Sequence, residues 1–350
     1  MTYLASNSIL HGNNPKYTTV KRPLIRIFVL SDWAKCARRP ANVVCGITVS
    51  ILTCRFLVVV LTGVLTAFGL TQLRGISVGA IAQQSLASVN KFENLDSKNF
   101  DRSTHIDNKW FPLKPGTQLV YKGFTNDEGK RVPHRVVFSV TDLTKVIGGV
   151  RAVVALEKDY GANRLVEAEI VFFAQDNDGT VWQLGQYPEE YENRRIVGTP
   201  AWIHGIQDAR AGIVMRAEPR LETPSYSQGW GPAVKYMDRG TVSQVGLKTC
   251  VPLDCFENVL VIKETSEEEP GAHQDKYHAL GVGVVRVGWG GEGEKTQEIL
   301  ELVKVAQLKA QALAVVREEA LKLDKRAYRI SKKVYVNTPP AEQTPGEKGQ

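Results

Sequence analysis

The chain has 350 residues, enough for one large or two ordinary domains, and its net charge at pH 7 is +7. Residues 1–82 hold nine basic and one acidic residue (+8), residues 83–302 hold 25 and 31 (−6), and residues 303–350 hold ten and five (+5). The central part is therefore mildly acidic and has no basic stripe with interleaved aromatic residues, which disfavours nucleic-acid binding.

The N-terminal 82 residues predict an export signal. Residues 1–55 are basic, lack an apolar period and are predicted to be disordered. An uncharged, mostly apolar run of 18 residues follows at 56–73, near the lower limit for crossing a bilayer. Ala80-Ile81-Ala82 then matches a cleavage pattern, so residues 56–82 are a cleaved signal peptide or a retained membrane anchor. A buried core helix is disfavoured by the flanking arginines.

The basic residues precede the apolar run, so the N-terminus is expected to stay in the cytoplasm. The rest of the chain is then extracytoplasmic: in the periplasm, in the cell envelope, secreted, or anchored in the inner membrane. If the N-terminal helix is not cleaved, the membrane itself is a partner.

A polar linker at residues 83–104 precedes a predicted β domain at 105–303, in which β-rich runs alternate with turn signals. The candidate strands are 117–124, 133–142, 147–158, 165–175, 180–186, 234–245, 256–265, 274–280, 283–289 and 296–303. In 166–172 the even positions are apolar, so Glu167 and Glu169 are expected to face outward. No helical pattern separates the strands. The predicted fold class is mainly β, an antiparallel meander forming a barrel-like or half-barrel sheet.

Residues 108–121 combine aromatic residues, a proline-rich turn and the start of a strand. Pro112 and Pro115 restrict the backbone, and Gly116 permits a turn that other residues disfavour. Trp110 and Phe111 carry the largest apolar area nearby. We expect them to plug one end of the core, with an aromatic platform for a ligand as the alternative.

This stretch also resembles the signature of a family of exported bacterial proteins of unknown function, N-x-[FYW]-[FYW]-P-L-x-P-G-T-x-x-x-Y. Later segments agree with that family in order, at 173–182, 190–193, 212–215, 251–252, 256–260, 276–277 and 281–283. The resemblance covers about residues 105–303 and implies export, but it implies no activity and no catalytic residues. The chain departs from it at Cys250 and Cys255, a pair these proteins usually lack, and at His278, where a tyrosine is expected.

Residues 187–232 are rich in Pro, Gly, Trp and charge, and are predicted to be a long excursion with few regular strands. Long loops often carry function, so a binding rim is expected here. Its aromatic residues complete the candidate ligand-binding set: Trp110, Phe111, Tyr187, Tyr191 and Trp202. Three acidic residues of the same region offer a carboxylate pair for glycoside chemistry or, more simply, a solvated loop: Glu189, Glu190 and Glu192.

Cys250 and Cys255 are the only cysteines after the leader, and in an exported protein they are expected to form a structural disulfide rather than a redox pair. With both paired and the histidines dispersed, the chain lacks the ligands of a zinc site. The run 176–179 resembles a calcium loop without its downstream Glu, and a hairpin turn is expected instead. We expect no metal, no cofactor and no catalytic residues.

Residues 304–335 are rich in helix-forming residues and predict a basic amphipathic helix, followed by a disordered tail at 336–350. The apolar stripe of this helix consists of Val305, Leu308, Ala312, Val315, Val316, Ala320 and Leu323. Because the stripe lacks Trp and Phe, docking on the acidic body or pairing with a partner helix is favoured over lying on a membrane.

Three functions fit these features. The first is an exported, non-catalytic β protein that binds an apolar ligand or an envelope component such as a protein. The second is an extracytoplasmic hydrolase with its acidic residues in 187–232. The third is a structural or assembly module that acts through its C-terminal helix.

Overall fold

The computed structural model describes residues 91–127, 129–294 and 297–344, which belong to one compact unit. The predicted disordered segment 1–55 and the signal or anchor segment 56–82 lie outside the described residues, as do residues 83–90 of the predicted linker and residues 345–350 of the tail. Within the described ranges, no helix is both long enough and apolar enough to span a membrane.

All ten predicted strands are present, and most are longer than predicted. They are β1 (Thr117–Asp127), β2 (Lys130–Ile147), β3 (Val150–Gly161), β4 (Arg164–Gln175), β5 (Val181–Glu192), β11 (Asp238–Cys250), β12 (Cys255–Ser266), β13 (His273–Ala279), β14 (Gly283–Gly290) and β15 (Ile299–Gln307). Six short strands complete the sheet: β6 (Arg195–Gly198), β7 (Trp202–Ile203), β8 (Arg210–Met215), β9 (Tyr226–Ser227), β10 (Gly229–Trp230) and β16 (Glu342–Gln343).

The strands form one antiparallel sheet in the order β10-β8-β5-β4-β3-β2-β1-β15-β14-β13-β12-β11-β9. The two ends of this order are neighbours in the chain, because only Gln228 separates β9 from β10. β9 pairs with β11 and β10 pairs with β8, so the segment from Tyr226 to Trp230 brings the sheet close to closure as a barrel. The predicted mainly β, barrel-like fold class is therefore confirmed.

The region 187–232 is more regular than predicted. β5 continues to Glu192, and β6 to β10 all lie in this region and pair with the rest of the sheet. The sequence signal was weak because these strands have two to six residues, too few for an alternating pattern to show.

Each face of the sheet has its own apolar cluster. The interior cluster includes Val136, Phe138, Val171 and Phe173, whereas the outer cluster includes Phe172 and buried residues of the C-terminal helix. β4 is thus covered on both faces. The expectation that Glu167 and Glu169 face outward is wrong: both are buried, on the interior side with Val171. The apolar even positions face the helix instead.

The C-terminal helix α1 (Ala310–Ile330) docks on the outer face of β2 to β5, followed by the short helix α2 (Lys332–Tyr335). The predicted boundary at 303/304 is too early, because β15 continues to Gln307. The stripe that is buried is narrower and lies further along than predicted: Val316, Ala320, Leu323 and Ala327. Val305 and Val315 are exposed.

Charged contacts hold α1 on the sheet. Arg317 donates two hydrogen bonds of 2.7 Å to the Asp142 carboxylate. Lys145 is fully buried, and its Nζ donates to Asp324 Oδ1 at 3.0 Å and to the Pro339 carbonyl at 2.7 Å. These contacts also hold the first part of the predicted disordered tail, which returns to β2 as β16.

Two local predictions concern turns. Cys250 and Cys255 form the predicted disulfide, which closes the β11–β12 hairpin. In the turn between β4 and β5, Asp176 Oδ1 accepts hydrogen bonds from the backbone N–H groups of Asp178 (3.1 Å) and Thr180 (2.8 Å). This carboxylate organises the hairpin turn, as expected.

Candidate functional site

The barrel interior has an apolar half, closed by the segment before β1. Phe111 is 3% exposed and meets Phe173 edge-to-face, with 5.6 Å between ring centroids. Leu113 and Ile106 are buried beside it. The predicted plug is present, but Phe111 is its centre, whereas Trp110 is only partly buried against the cluster. A pocket beside the plug has room for about one water molecule.

The five predicted ligand-binding residues do not form one site. Trp110 and Phe111 belong to the plug. Trp202 is buried in the interior cluster, where its ring lies 4.9 Å from that of Tyr236. Tyr187 and Tyr191 lie on the outer face, beneath α1. Phe111 and Trp202 are buried in the interior cluster, whereas Tyr187 and Tyr191 lie on the other face of the sheet, so the five residues do not share one surface.

Glu189 explains the position of the two tyrosines. Its carboxylate accepts hydrogen bonds from Arg326 Nε at 2.7 Å, from the Tyr187 hydroxyl at 2.9 Å and from the Tyr191 hydroxyl. Burial alone would raise the pKa of this carboxyl, but the bonds from Arg326 and the tyrosines outweigh it and hold the pKa below its usual range. Glu189 is therefore a charged anchor for α1.

The other half of the interior is polar. A row of neighbouring buried or nearly buried side chains, which we call the polar belt, crosses the strands from the closing segment to β5: Gln228, Glu264, Lys276, Gln274, Glu298, His134, Asp159, Glu167 and Glu190. Successive members touch or lie opposite each other across paired strands, except Lys276 and Gln274, which lie two residues apart on β13. None of these nine residues is predicted from the sequence to lie inside the barrel.

His134 is the centre of the belt. Its Nε2 pairs with Asp159, and its Nδ1 lies 2.9 Å from Glu298 Oε1. Burial disfavours the charged ring, but the two carboxylates outweigh burial and raise the pKa of His134 to about 10. The pKa of Glu298 is raised by its burial, against the effect of His134. Lys276 pairs with Glu264 further along.

The belt presents no open reaction centre. Glu190 and Glu167 lie directly opposite each other across β5 and β4, yet both are buried. A side chain at Gly198 would overlap the Glu190 carboxylate at 2.1 Å, so β6 covers it closely. A glycosidase needs its two carboxylates on either side of a bound sugar. Among the described residues, no group of three His, Cys, Asp or Glu side chains is arranged to hold a metal ion.

The outer surface at one end of the sheet carries exposed basic residues. The hairpins β1–β2, β3–β4 and β5–β6 all turn at the same end of the sheet, and they form what we call the hairpin edge. Five of its residues are exposed and basic: Lys130, Arg131, Arg164, Arg194 and Arg195. Among the described residues none of the five forms an ion pair.

Exposed aliphatic side chains lie beside these arginines: Leu165, Ile196 and Val197, of which Val197 is 56% exposed. The two-residue loops of β3–β4 and β5–β6 both have positive φ, at Ala162 and Asn163 and at Asn193 and Arg194 (+66°). Such loops match the twist of a hairpin. They place Arg164 and Arg195 at the first paired positions after each turn.

No protein-family model matches the chain, and no curated protein matches it. The solved structures that are similar to it include two bacterial proteins. One is a predicted exported protein with a YmcC-like fold from Bacteroides fragilis, with 12% identity and a TM-score of 0.34 over 56% of this chain and 98% of that one. The other is a predicted lipoprotein from Parabacteroides distasonis, with 13% identity and a TM-score of 0.31 over 56% and 98%. These TM-scores are too low to support an inference about this chain.

Proposed function

We propose that this protein is an extracytoplasmic, non-catalytic β protein that binds an envelope component through its outer surface. Support for export comes from the apolar run at 56–73, the cleavage pattern at 80–82 and the resemblance to exported proteins over about 105–303. The Cys250–Cys255 disulfide suits the same compartment.

One observation favours the outer surface as the binding surface: the carboxylates of the interior are buried. The belt carboxylates Glu167 and Glu190 are buried, and the pocket beside the plug has room for about one water. An apolar ligand of ordinary size needs roughly 300 Å³ or more. The apolar-ligand and hydrolase hypotheses therefore lose support relative to the envelope hypothesis.

The assembly hypothesis also loses its main argument. It required the apolar stripe of the C-terminal helix to be available to a partner, whereas Val316, Ala320 and Leu323 are buried against the sheet of the same chain. The surfaces that remain for binding are those of the barrel and the solvent-facing side of α1.

Two measurements test the proposal. A reporter active only outside the cytoplasm, fused after Thr104, should be active, and a cytoplasmic reporter at the same position should not. The exported protein, purified as the cell delivers it, should bind envelope fragments from cells that lack it, and binding should saturate. Activity of the cytoplasmic reporter alone would refute export. A small apolar molecule retained in stoichiometric amount in native mass spectrometry would replace the envelope component with an internal ligand.

A further inference from the structure

We infer that the hairpin edge docks on the surface of an anionic phospholipid bilayer. The inference rests on the proposed function, because it names the envelope component and the surface that meets it. The edge is built from the connections β1–β2, β3–β4 and β5–β6, which lie side by side in the sheet. Neighbouring strands are about 4.8 Å apart, so the edge from β1 to β6 is roughly 24 Å long.

The hairpin edge is basic. In the sequence, the turn segments 127–131, 161–165 and 192–196 hold five basic and three acidic residues, a net charge of +2. At the same barrel end, the β12–β13 and β14–β15 connections carry the exposed acidic residues Glu267 and Glu292. The barrel end is thus electrically asymmetric, and an anionic surface attracts the hairpin side and repels the other.

Two of the edge arginines lack an ionic partner within the described part of the chain, whereas Arg131 lies over the ring of Phe124. Arg194 and Arg195 are exposed and form no ion pair with any residue in the described ranges. Arg317 and Arg326 on α1, in contrast, each hold a carboxylate with two hydrogen bonds. Guanidinium groups bind phosphate by the same two-pronged geometry. Lipid phosphates are therefore suitable partners for the edge arginines.

Exposed aliphatic side chains at the edge favour a bilayer over a soluble polyanion. Leu165, Ile196 and Val197 are exposed beside the arginines, and at an interface such side chains enter the boundary between headgroups and acyl chains. Among the described strands, β6 also pairs only with β5, so its other edge has no strand partner there. An aliphatic edge strand flanked by charge is protected from pairing with a second copy, but it remains free to lie against lipid.

The exported protein is the material for the test, and vesicles of phosphatidylcholine with or without a quarter of phosphatidylglycerol are the probe. We expect co-sedimentation with the anionic vesicles only, weakened by salt. Hydrogen exchange should slow at 161–165 and 193–198 when anionic vesicles are present. This local readout does not depend on how residues 1–82 behave.

Charge reversal identifies the residues. The variant Arg194→Glu/Arg195→Glu should bind anionic vesicles at least about tenfold more weakly, because each basic residue near a charged bilayer contributes a several-fold gain in affinity. It keeps charges beside the β6 edge, so it should not self-associate more than the unchanged protein. The matched control is Lys304→Glu/Lys309→Glu, which makes the same change of net charge with exposed residues at the opposite end of the sheet. Val197→Ser should weaken binding without changing its salt dependence.

Three results would overturn the inference: equal binding to neutral and anionic vesicles, full binding by the Arg194/Arg195 variant, or loss of binding in the control pair. Concentration-dependent dimerisation through the edge, with no vesicle binding, would assign the surface to a second copy instead. If the Arg194/Arg195 variant still binds envelope fragments, the lipid inference fails while the proposed function stands.

Discussion

Arginine has opposite roles in two regions of the same sheet. On the helix-covered face, Arg326 and Arg317 hold Glu189 and Asp142 with paired hydrogen bonds. At the hairpin edge, Arg194 and Arg195 are exposed and form no ion pair with a described residue. A charge whose partner is buried stabilises the fold, because losing it leaves the partner stranded. A charge without an internal partner contributes little to stability and remains available to a molecule outside.

The largest effect on stability is expected from removing α1 and α2, which cover the outer face of the sheet. A chain ending after Leu308 loses α1 and α2 and exposes the outer apolar cluster under Val316, Leu323 and Tyr335. Burial of these side chains contributes more than about 5 kcal/mol, comparable with the net stability of a domain. We expect aggregation or loss of the folded state, measured by size-exclusion chromatography and far-UV circular dichroism. A chain ending after Thr344 is the control and should behave like the full chain. If the shorter chain elutes and melts unchanged, the helix is dispensable.

The second test concerns His134, which lies in the polar belt between Asp159 and Glu298. The pKa of His134 is raised to about 10 from its usual 6.5, so its ion pairs contribute fully below pH 6.5 and are lost as pH rises through 10. The free energy of unfolding should fall over this window by as much as about 4 kcal/mol. His134→Gln should flatten the fall, whereas His273→Gln should leave it intact. An unchanged pH profile in His134→Gln would show that the pair is not charged.

Arg326→Ala should cost about 3 kcal/mol, because it leaves the Glu189 carboxylate buried at 0% exposure with only two tyrosine hydroxyls as partners. Arg326→Lys should recover part of the loss, since lysine keeps the charge but cannot form both hydrogen bonds. Arg329→Ala, exposed on the same helix, is the control. Urea unfolding measures all three. Equal midpoints for Arg326→Ala and Arg329→Ala would mean that the ion pair does not hold the helix.

The smallest effect on stability is expected at the hairpin edge. Arg194→Ala and Arg195→Ala should each change the free energy of unfolding by less than about 0.5 kcal/mol, as surface substitutions without partners usually do. The same urea measurement serves, so the value can be set directly against that for Arg326→Ala. A loss above 1–2 kcal/mol would show that these arginines have an internal role, and would remove the contrast between the two regions.

The strands were predictable because a half-covered strand alternates apolar and polar residues, and ten of them were found that way. Alternation alone could not predict which face of β4 points into the barrel. Glu167 and Glu169 are the polar positions of that strand, but a helix more than 130 residues further along the chain covers the other face. The period of a pattern shows that two faces differ, and only tertiary packing decides which face is inside.

The candidate sites show the same limit more sharply. The belt joins His134 to Glu298, 164 positions away, and no local spacing signals such a contact. The aromatic residues were grouped because they are large and lie in irregular sequence. In the structure, Phe111 and Trp202 pack in the interior cluster, and Tyr187 packs beneath the C-terminal helix. The hairpin arginines were overlooked because each lies in a short turn between strands.

The segment 226–230, which brings the barrel close to closure, affects how the interior exchanges with solvent. Only two residue pairs join β10 to β8, and two join β9 to β11, as few as join β14 to β15 and far fewer than the ten that join β1 to β2. This seam is therefore a place where the sheet can part by local fluctuation, well before global unfolding. Gln228 lies in the seam and donates a hydrogen bond to Glu264 of the belt. Each brief opening of the seam thus gives water and protons direct access to the enclosed carboxylates, and its frequency sets the rate at which they respond to the solution outside.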